Sequence, residues 1–318
     1  MGGTAGVGGG GTGGTSGAGG MSDPMLLSET GLYSDIVAGT IAPDALEFAP
    51  QYPLWSDGAV KRRWIKLPPG TQINTADMDF WDYPAGTKLF KEFTRDNVRV
   101  ETRMLMKKSP GVWYMMAYKW RDDMTDADAV PDGEANARGT QHDIPSKEDC
   151  GVCHNSMRDR VLGFTAVALA HNNPGLNLAQ ATAMGILSAP PAVVPVVPGD
   201  AVETAALGYL HMNCGMCHNF RSKIFTNGTE IDMWLQVGKL TTVEETPTYL
   251  TLVDQDTSTV LTTMEKRIVP GDPANSAVYE LMSRRDGSDA QMPPVGTELT
   301  DDAGGLAAVE AWINQLGQ

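Results

Sequence analysis

Every cysteine of the chain belongs to one of two copies of a five-residue pattern, Cys150-Gly151-Val152-Cys153-His154 and Cys214-Gly215-Met216-Cys217-His218. Two thiols three residues apart can each form a thioether with a vinyl group of haem. A histidine directly after the second thiol then stands where it ligates the iron, and this run is the attachment signature of a c-type haem. Other uses of the four cysteines explain less. A Cys₄ zinc site built from two Cys-x-x-Cys pairs does not require a histidine after both. A thioredoxin-like pair calls for a βαβ context that is missing, and two disulfides leave the paired histidines without a reason. The expectation is two covalently bound c-type haems, held by Cys150, Cys153, Cys214 and Cys217, with His154 and His218 as iron ligands.

At 318 residues the chain has room for two domains of ordinary size. Its formal net charge of −15 argues against nucleic acid or an anionic membrane surface as partner and suits a positively charged redox partner. No apolar run approaches the length of a membrane-spanning helix. The start lacks the basic segment and apolar core of a secretory signal. The expectation is therefore that a signal or lipoprotein anchor precedes it, which would be the chain's one link to a membrane.

Residues Met1 to Gly20 are almost wholly Gly, Thr, Ser and Ala, a composition that cannot offset its ordering entropy and predicts a flexible tether over 1–24. From Met25 the chain turns globular. A short helix is expected over Gly31 to Ala42, followed by strands and turns to about Tyr118. Val60 to Leu67 and Lys88 to Phe93 read as strands, and Val98 to Met106 with Val112 to Trp120 as a hairpin across Lys107 to Gly111. The tryptophans and tyrosines here read as sheet core, and the acidic stretch Asp122 to Glu134, which lacks EF-hand spacing, as a solvated loop. Ser146 with Asp149 resembles a capping box and predicts a helix carrying the first motif. Helical pieces follow at Phe164 to Ala170 and Leu178 to Leu187.

Ser188 to Gly199 holds four prolines, which fix φ and remove donors, so the segment reads as an extended connector and a domain boundary. The expected organisation is a tether at 1–24, a β-rich first-haem domain at 25–187, the connector at 188–199 and a second-haem domain at 200–318. Asp200 and Glu203 predict a capped helix running into the second motif. Short strands are expected near Trp234 to Leu240 and Thr248 to Val253, a helix near Ala277 to Arg284, and a last helix from about Asp301, where Leu306, Val309, Ile313 and Leu316 recur at helical spacing.

The second half resembles class I cytochrome c. That family has a helix ending in the haem motif, a methionine loop far downstream and a C-terminal helix crossing the first. The matching parts are Asp200 to His218, Met292 in Met292-Pro293-Pro294, and Asp301 to Leu316 with Trp312. The resemblance implies an all-α domain with Met292 as sixth ligand of the second haem. The first half resembles the N-terminal part of a functionally obscure family of bacterial dihaem cytochromes, through Pro53 to Ala59, Leu67 to Thr71, Tyr83 to Phe93, Ile144 to Asn155 and Val161 to Phe164. Pro84 to Phe93 is also similar, at the level of fold, to β-sheet haem enzymes that oxidise hydroxylamine, where a lysine cross-links the haem. Lys88 or Lys91 would be that lysine. The fold class expected is thus α+β multidomain, β-rich then all-α.

The same resemblances imply an exported protein, periplasmic or outer-surface, because c-type haem is attached outside the bacterial cytoplasm. His142 and His171 are the nitrogen candidates for the sixth position of the first haem. His211 reads as support for the second haem or as a surface histidine. A His/Met pair raises the reduction potential relative to two nitrogen ligands. The function expected is electron transfer between the haems and a redox partner. The alternative is a haem oxidoreductase, peroxidase-like or acting on a small nitrogen compound, with an open site at the first haem.

Overall fold

Side chains alternating between two faces from Val60 to Trp120 build the four central strands of a six-stranded antiparallel meander. The computed structural model describes residues 23–258, 260–288 and 290–318, so the expected tether lies almost wholly outside the described residues. The meander's strands are β3 (Leu46–Glu47), β4 (Val60–Lys66), β5 (Lys88–Arg95), β6 (Val98–Ser109), β7 (Val112–Trp120) and β8 (Ala127–Ala129), each paired with its neighbour in sequence. The expected strands and hairpin are therefore present.

One face of the sheet carries Trp64, Phe90, Met104, Met116, Tyr118 and Trp120, and Leu27 and Leu32 from the start of the chain cover it. The other face carries Ile65 and Leu89, packed under Phe48, Trp81, Phe164 and Leu169. The helix expected over Gly31 to Ala42 is instead a small ribbon of β1 (Tyr33–Asp35) and β2 (Thr40–Ile41). Asp35 accepts the Ala38 amide at 2.9 Å, a local side-chain bond that favours a turn over a helix. The Lys66 and Lys88 ammonium groups clasp the carbonyls of Gly31 and Thr30 at 2.5 and 2.7 Å.

The helices are α1 (Lys147–His154), α2 (Ala166–Leu169), α3 (Leu178–Ala183), α4 (Ala201–Asn213), α5 (Pro247–Leu252), α6 (Ala277–Ser283) and α7 (Ala307–Gln315). The expectation of an all-α class I cytochrome c domain is not met. Over the described residues the chain is mixed, 27% helical and 20% strand, and its helices are short. After α4 the chain runs through single-turn helices and isolated bridges such as Val253↔Ile268 and Lys266↔Ser276. Prolines and glycines interrupt it at Gly228, Pro270, Pro273, Gly287, Pro293 and Gly296, which stops any helix there from lengthening. The strand expected over Thr248 to Val253 is helix α5, because Thr246 caps it by accepting the Tyr249 amide at 3.2 Å and Pro247 starts it. Trp234 to Leu240 is likewise not a strand but a loop with one 3₁₀ turn at Val237–Lys239.

Ser188 to Gly199 runs without helix or strand; Ser188 accepts the Thr75 amide at 3.1 Å, and Val197 enters the core around α4 and α7. The parts on either side of it are packed together. Asp57 accepts the amides of Glu298 and Leu299 at 3.0 and 2.9 Å, and Asn213 accepts the Trp55 amide at 2.7 Å. A Cβ on Gly208 of α4 would lie 2.2 Å from the Tyr52 ring, so this close approach requires glycine.

Asp79 joins the two sides by accepting the Val237 amide at 2.7 Å. Burial raises its carboxyl to about 6, the Val237 amide opposing and Asp77 and Asp232 adding. A raised carboxyl pKa destabilises the native state above about pH 6, and that penalty fades as pH falls through the folded value towards the unfolded one. Asp79→Asn keeps the acceptor and removes the charge. It is expected to stabilise the protein by about 1–3 kcal/mol at pH 7.5, with most of the gain gone at pH 4. Urea titrations at the two pH values test this, and an equal gain at both would refute the assignment.

Candidate functional site

The first motif rides on α1, which opens on a reciprocal cap: Ser146 Oγ accepts the Asp149 amide at 3.2 Å, and Asp149 accepts the Ser146 amide at 3.0 Å. The helix packs against β7 and ends at His154. There the imidazole Nδ1 lies 2.5 Å from the Arg160 carbonyl. Facing a carbonyl, Nδ1 carries the proton, and Nε2 is left as the ring's free lone pair. Burial pushes the ring down to about 4, the Arg160 carbonyl opposing and Lys91 and Arg103 adding, so His154 is neutral at physiological pH. A neutral ring with its second nitrogen tied to a carbonyl is the arrangement of a metal-ligating histidine.

Just beyond, Asp159 bolts the loop to the sheet. It accepts the Tyr83 amide at 2.7 Å, the half-buried Trp113 indole at 2.9 Å and the buried Lys107 ammonium at 2.6 Å.

The second motif follows α4. Asp200 caps the helix, accepting the Val202 and Glu203 amides at 2.8 and 3.1 Å. A Cβ on Gly215 would lie 2.7 Å from the carbonyls of His211 and Met233, so the motif's turn fits only glycine. Asn219 fastens that turn by donating to the Gly215 and Met216 carbonyls at 3.0 and 3.2 Å. Burial pushes His218 down to about 4, with Arg267 adding, and its Nδ1 is buried without a hydrogen-bond partner.

His211 is fully buried, not at the surface. Its Nδ1 accepts the Leu235 amide at 3.1 Å, so its proton sits on Nε2, which is buried and unpartnered. The ring lies 4.3 Å from that of Trp234, whose indole nitrogen is unpartnered as well.

The fold brings the two motifs side by side. Asn219, just after the second motif, lies 4.0 Å from Sδ of Met157, just after the first, and the Cys153 and Cys217 thiols are near enough to perturb one another. All four cysteines are free thiols and half-buried. Met157 from the first motif's loop packs with Phe80 and Trp234, whose rings stack at 5.4 Å, while Met212 and Met216 pack around Ala168.

The remaining candidates lie as follows. His142 is buried, with Nε2 2.7 Å from Glu101 and its ring 5.1 Å from that of Phe93. His171 spends both nitrogens, Nε2 on the Ala49 carbonyl at 2.6 Å and Nδ1 on the Asn173 amide at 3.1 Å. Met292 is half-buried in the loop after α6, its amide donating to the Leu281 carbonyl at 2.9 Å.

Comparison with known proteins returns no match to a protein family, a curated protein or a solved structure. The chemistry of the site therefore rests on its own residues. They fit covalently held haem: reduced, half-exposed thiols in both pairs, neutral histidines after each, and buried unpartnered donors at His211, His218 and Trp234. The thiols are not gathered into one cage. Among the described residues, no group of three or more His, Cys, Asp or Glu side chains is placed to hold a bare metal ion.

Proposed function

We propose that the protein is an exported dihaem c-type cytochrome that passes electrons between its haems and a positively charged redox partner. The observation that carries the reading is the adjacency of the two motifs, whose following residues Met157 and Asn219 meet while the Cys153 and Cys217 thiols lie near one another. Cys150 and Cys153 would hold one haem and Cys214 and Cys217 the other, with His154 and His218 on the irons and Met292 as candidate sixth ligand of the second. Bound there, each haem would supply a one-electron ferric–ferrous couple. The polypeptide orients the His154 ring through the Arg160 carbonyl, keeps both histidines neutral and surrounds the motifs with Met157, Phe80 and Trp234. Among the described residues no helix is long and apolar enough to cross a membrane.

A haem oxidoreductase with an open first site draws support from one observation. Both nitrogen candidates for that position are engaged elsewhere, His142 with Glu101 and His171 with Ala49.

Expression with a c-type haem attachment system, followed by a pyridine haemochrome assay, is expected to give two covalent haems per chain. A chain without haem would end the proposal. In the loaded protein, two low-spin haems indifferent to carbon monoxide support the electron carrier, whereas one high-spin haem that binds the gas favours the oxidoreductase.

A further inference from the structure

Three cations stand opposite one another on adjacent strands: Arg63 of β4 pairs in register with Lys91 of β5, and Lys91 with Arg103 of β6. Like charges directly opposed on one face repel. Lys61, two positions from Arg63, shares that face and adds to the repulsion on Lys91. The carboxylate facing Lys91 and Arg103 is Glu101, already committed to Arg103 at 2.9 Å and to His142 at 2.7 Å, while Lys61 at the rim donates to the Leu54 carbonyl at 2.6 Å and feels Asp57 and Asp301. Arg63 is only 8% exposed, and one of its terminal nitrogens is buried without a partner. Burial holds Lys61 down at about 8 and Lys91 well below the usual lysine range, with neighbouring cations adding in both cases.

A buried charge without a counter-charge is costly, and proteins retain such groups where a ligand completes them. This chain carries a formal net charge of −15, so a recess with more cations than carboxylates is not a shortage of acidic residues. The recess borders the first motif, since the charges of Lys91 and Arg103 bear on both the Cys153 thiol and the His154 ring. Lys91 and Arg103 keep partial solvent contact, which leaves a way in.

We infer that Arg63, Lys91 and Arg103, with Lys61 at the rim, form an anion-binding site beside the first motif that takes carboxylate or other oxyanion groups. Guanidinium forks and an ammonium in one row match paired anionic oxygens. Such oxygens have two sources. One is the carboxylate tails of a haem attached at Cys150 and Cys153, a case that rests on the dihaem reading. The other is a free small oxyanion, which does not.

The test compares full-length wild type with Arg63→Gln and Lys91→Gln. Both substitutions relieve repulsion, so both variants are expected to fold at least as stably as wild type. On protein without haem, the melting temperature is measured in sodium sulfate and in sodium chloride at matched ionic strength. Sulfate's general stabilising effect is common to all three proteins, so an extra rise confined to wild type reports the free-oxyanion source. On haem-loaded protein, reduction potentials and redox-difference infrared spectra are recorded. A lower potential at one haem, together with shifted carboxylate bands in the variants, reports the haem tails. Either result supports the site. Wild type and variants alike in both experiments would overturn it while leaving two haems in place. A chain that takes up no haem would remove the dihaem reading, and the sulfate comparison alone would then decide the site.

Discussion

Asp159→Ala is expected to cost about 3–5 kcal/mol of stability, because it strands a buried lysine. The carboxylate sits in the interior with Lys107, whose side chain is only 7% exposed, and also holds the Trp113 indole and the Tyr83 amide. Removing it leaves one ammonium, one indole N–H and one amide N–H without acceptors at the same spot, and unpaired donors are penalised far more heavily than lost pairs. Equilibrium urea unfolding checks the value. Adding Lys107→Met to Asp159→Ala should return part of the loss, since the stranded charge goes with it. A single-mutant loss below about 1 kcal/mol would show that Lys107 reaches water or another acceptor. Asp159 lies five positions beyond His154, so the same substitution should also loosen the Arg160 carbonyl that fixes the ring.

Removing one pair of thiols is expected to halve the haem content. Cys150→Ala with Cys153→Ala should leave one covalent haem per chain by pyridine haemochrome, and Cys214→Ala with Cys217→Ala should do the same. The first motif rides on α1 and the second forms the turn directly after α4, each helix with its own cap, Ser146 for α1 and Asp200 for α4, so each motif has its own local support. Two haems retained in either double variant would break the attachment assignment. Loss of both haems would show that filling one site is a condition for filling the other, consistent with the Cys153–Cys217 proximity.

The sheet was legible because its strands follow the period-two rule with aromatic and β-branched residues, and Val60, Lys88, Val98 and Val112 open strands where that pattern begins. The caps at Ser146 and Asp200 were legible for a local reason: a side chain three residues away completes each one. Thr248 to Val253 misled because its β-branched content outweighed a start signal lying just ahead, Thr246-Pro247. The all-α reading of the second half failed differently. The motif, Met292 and a periodic last helix are separate local features, and nothing in them specifies how the breaker-rich chain between them folds.

The row of Arg63, Lys91 and Arg103 was hidden because it depends on strand register. The sequence shows a basic residue in each strand, but one step of slip would scatter them over two faces. A signal was present in β4 all the same: Lys61 and Arg63 share the parity of Ile65 and so face the same side as a core residue. Asp159 gave no local sign at all, since its partners come from two distant stretches of the chain, Tyr83 and the hairpin that pairs Lys107 with Trp113.

The two faces of the sheet also give the molecule a front and a back. Tyr114 and Tyr118, on the side covered by Leu27 and Leu32, donate to the Pro24 carbonyl at 3.3 and 3.0 Å, and Lys108 pairs with Asp23. The described chain therefore begins on the side opposite Lys91 and Arg103. Asp23 and Pro24 thus occupy one face and Lys91 and Arg103 the other, so a partner that meets the motif side leaves the contacts of Asp23 and Pro24 untouched.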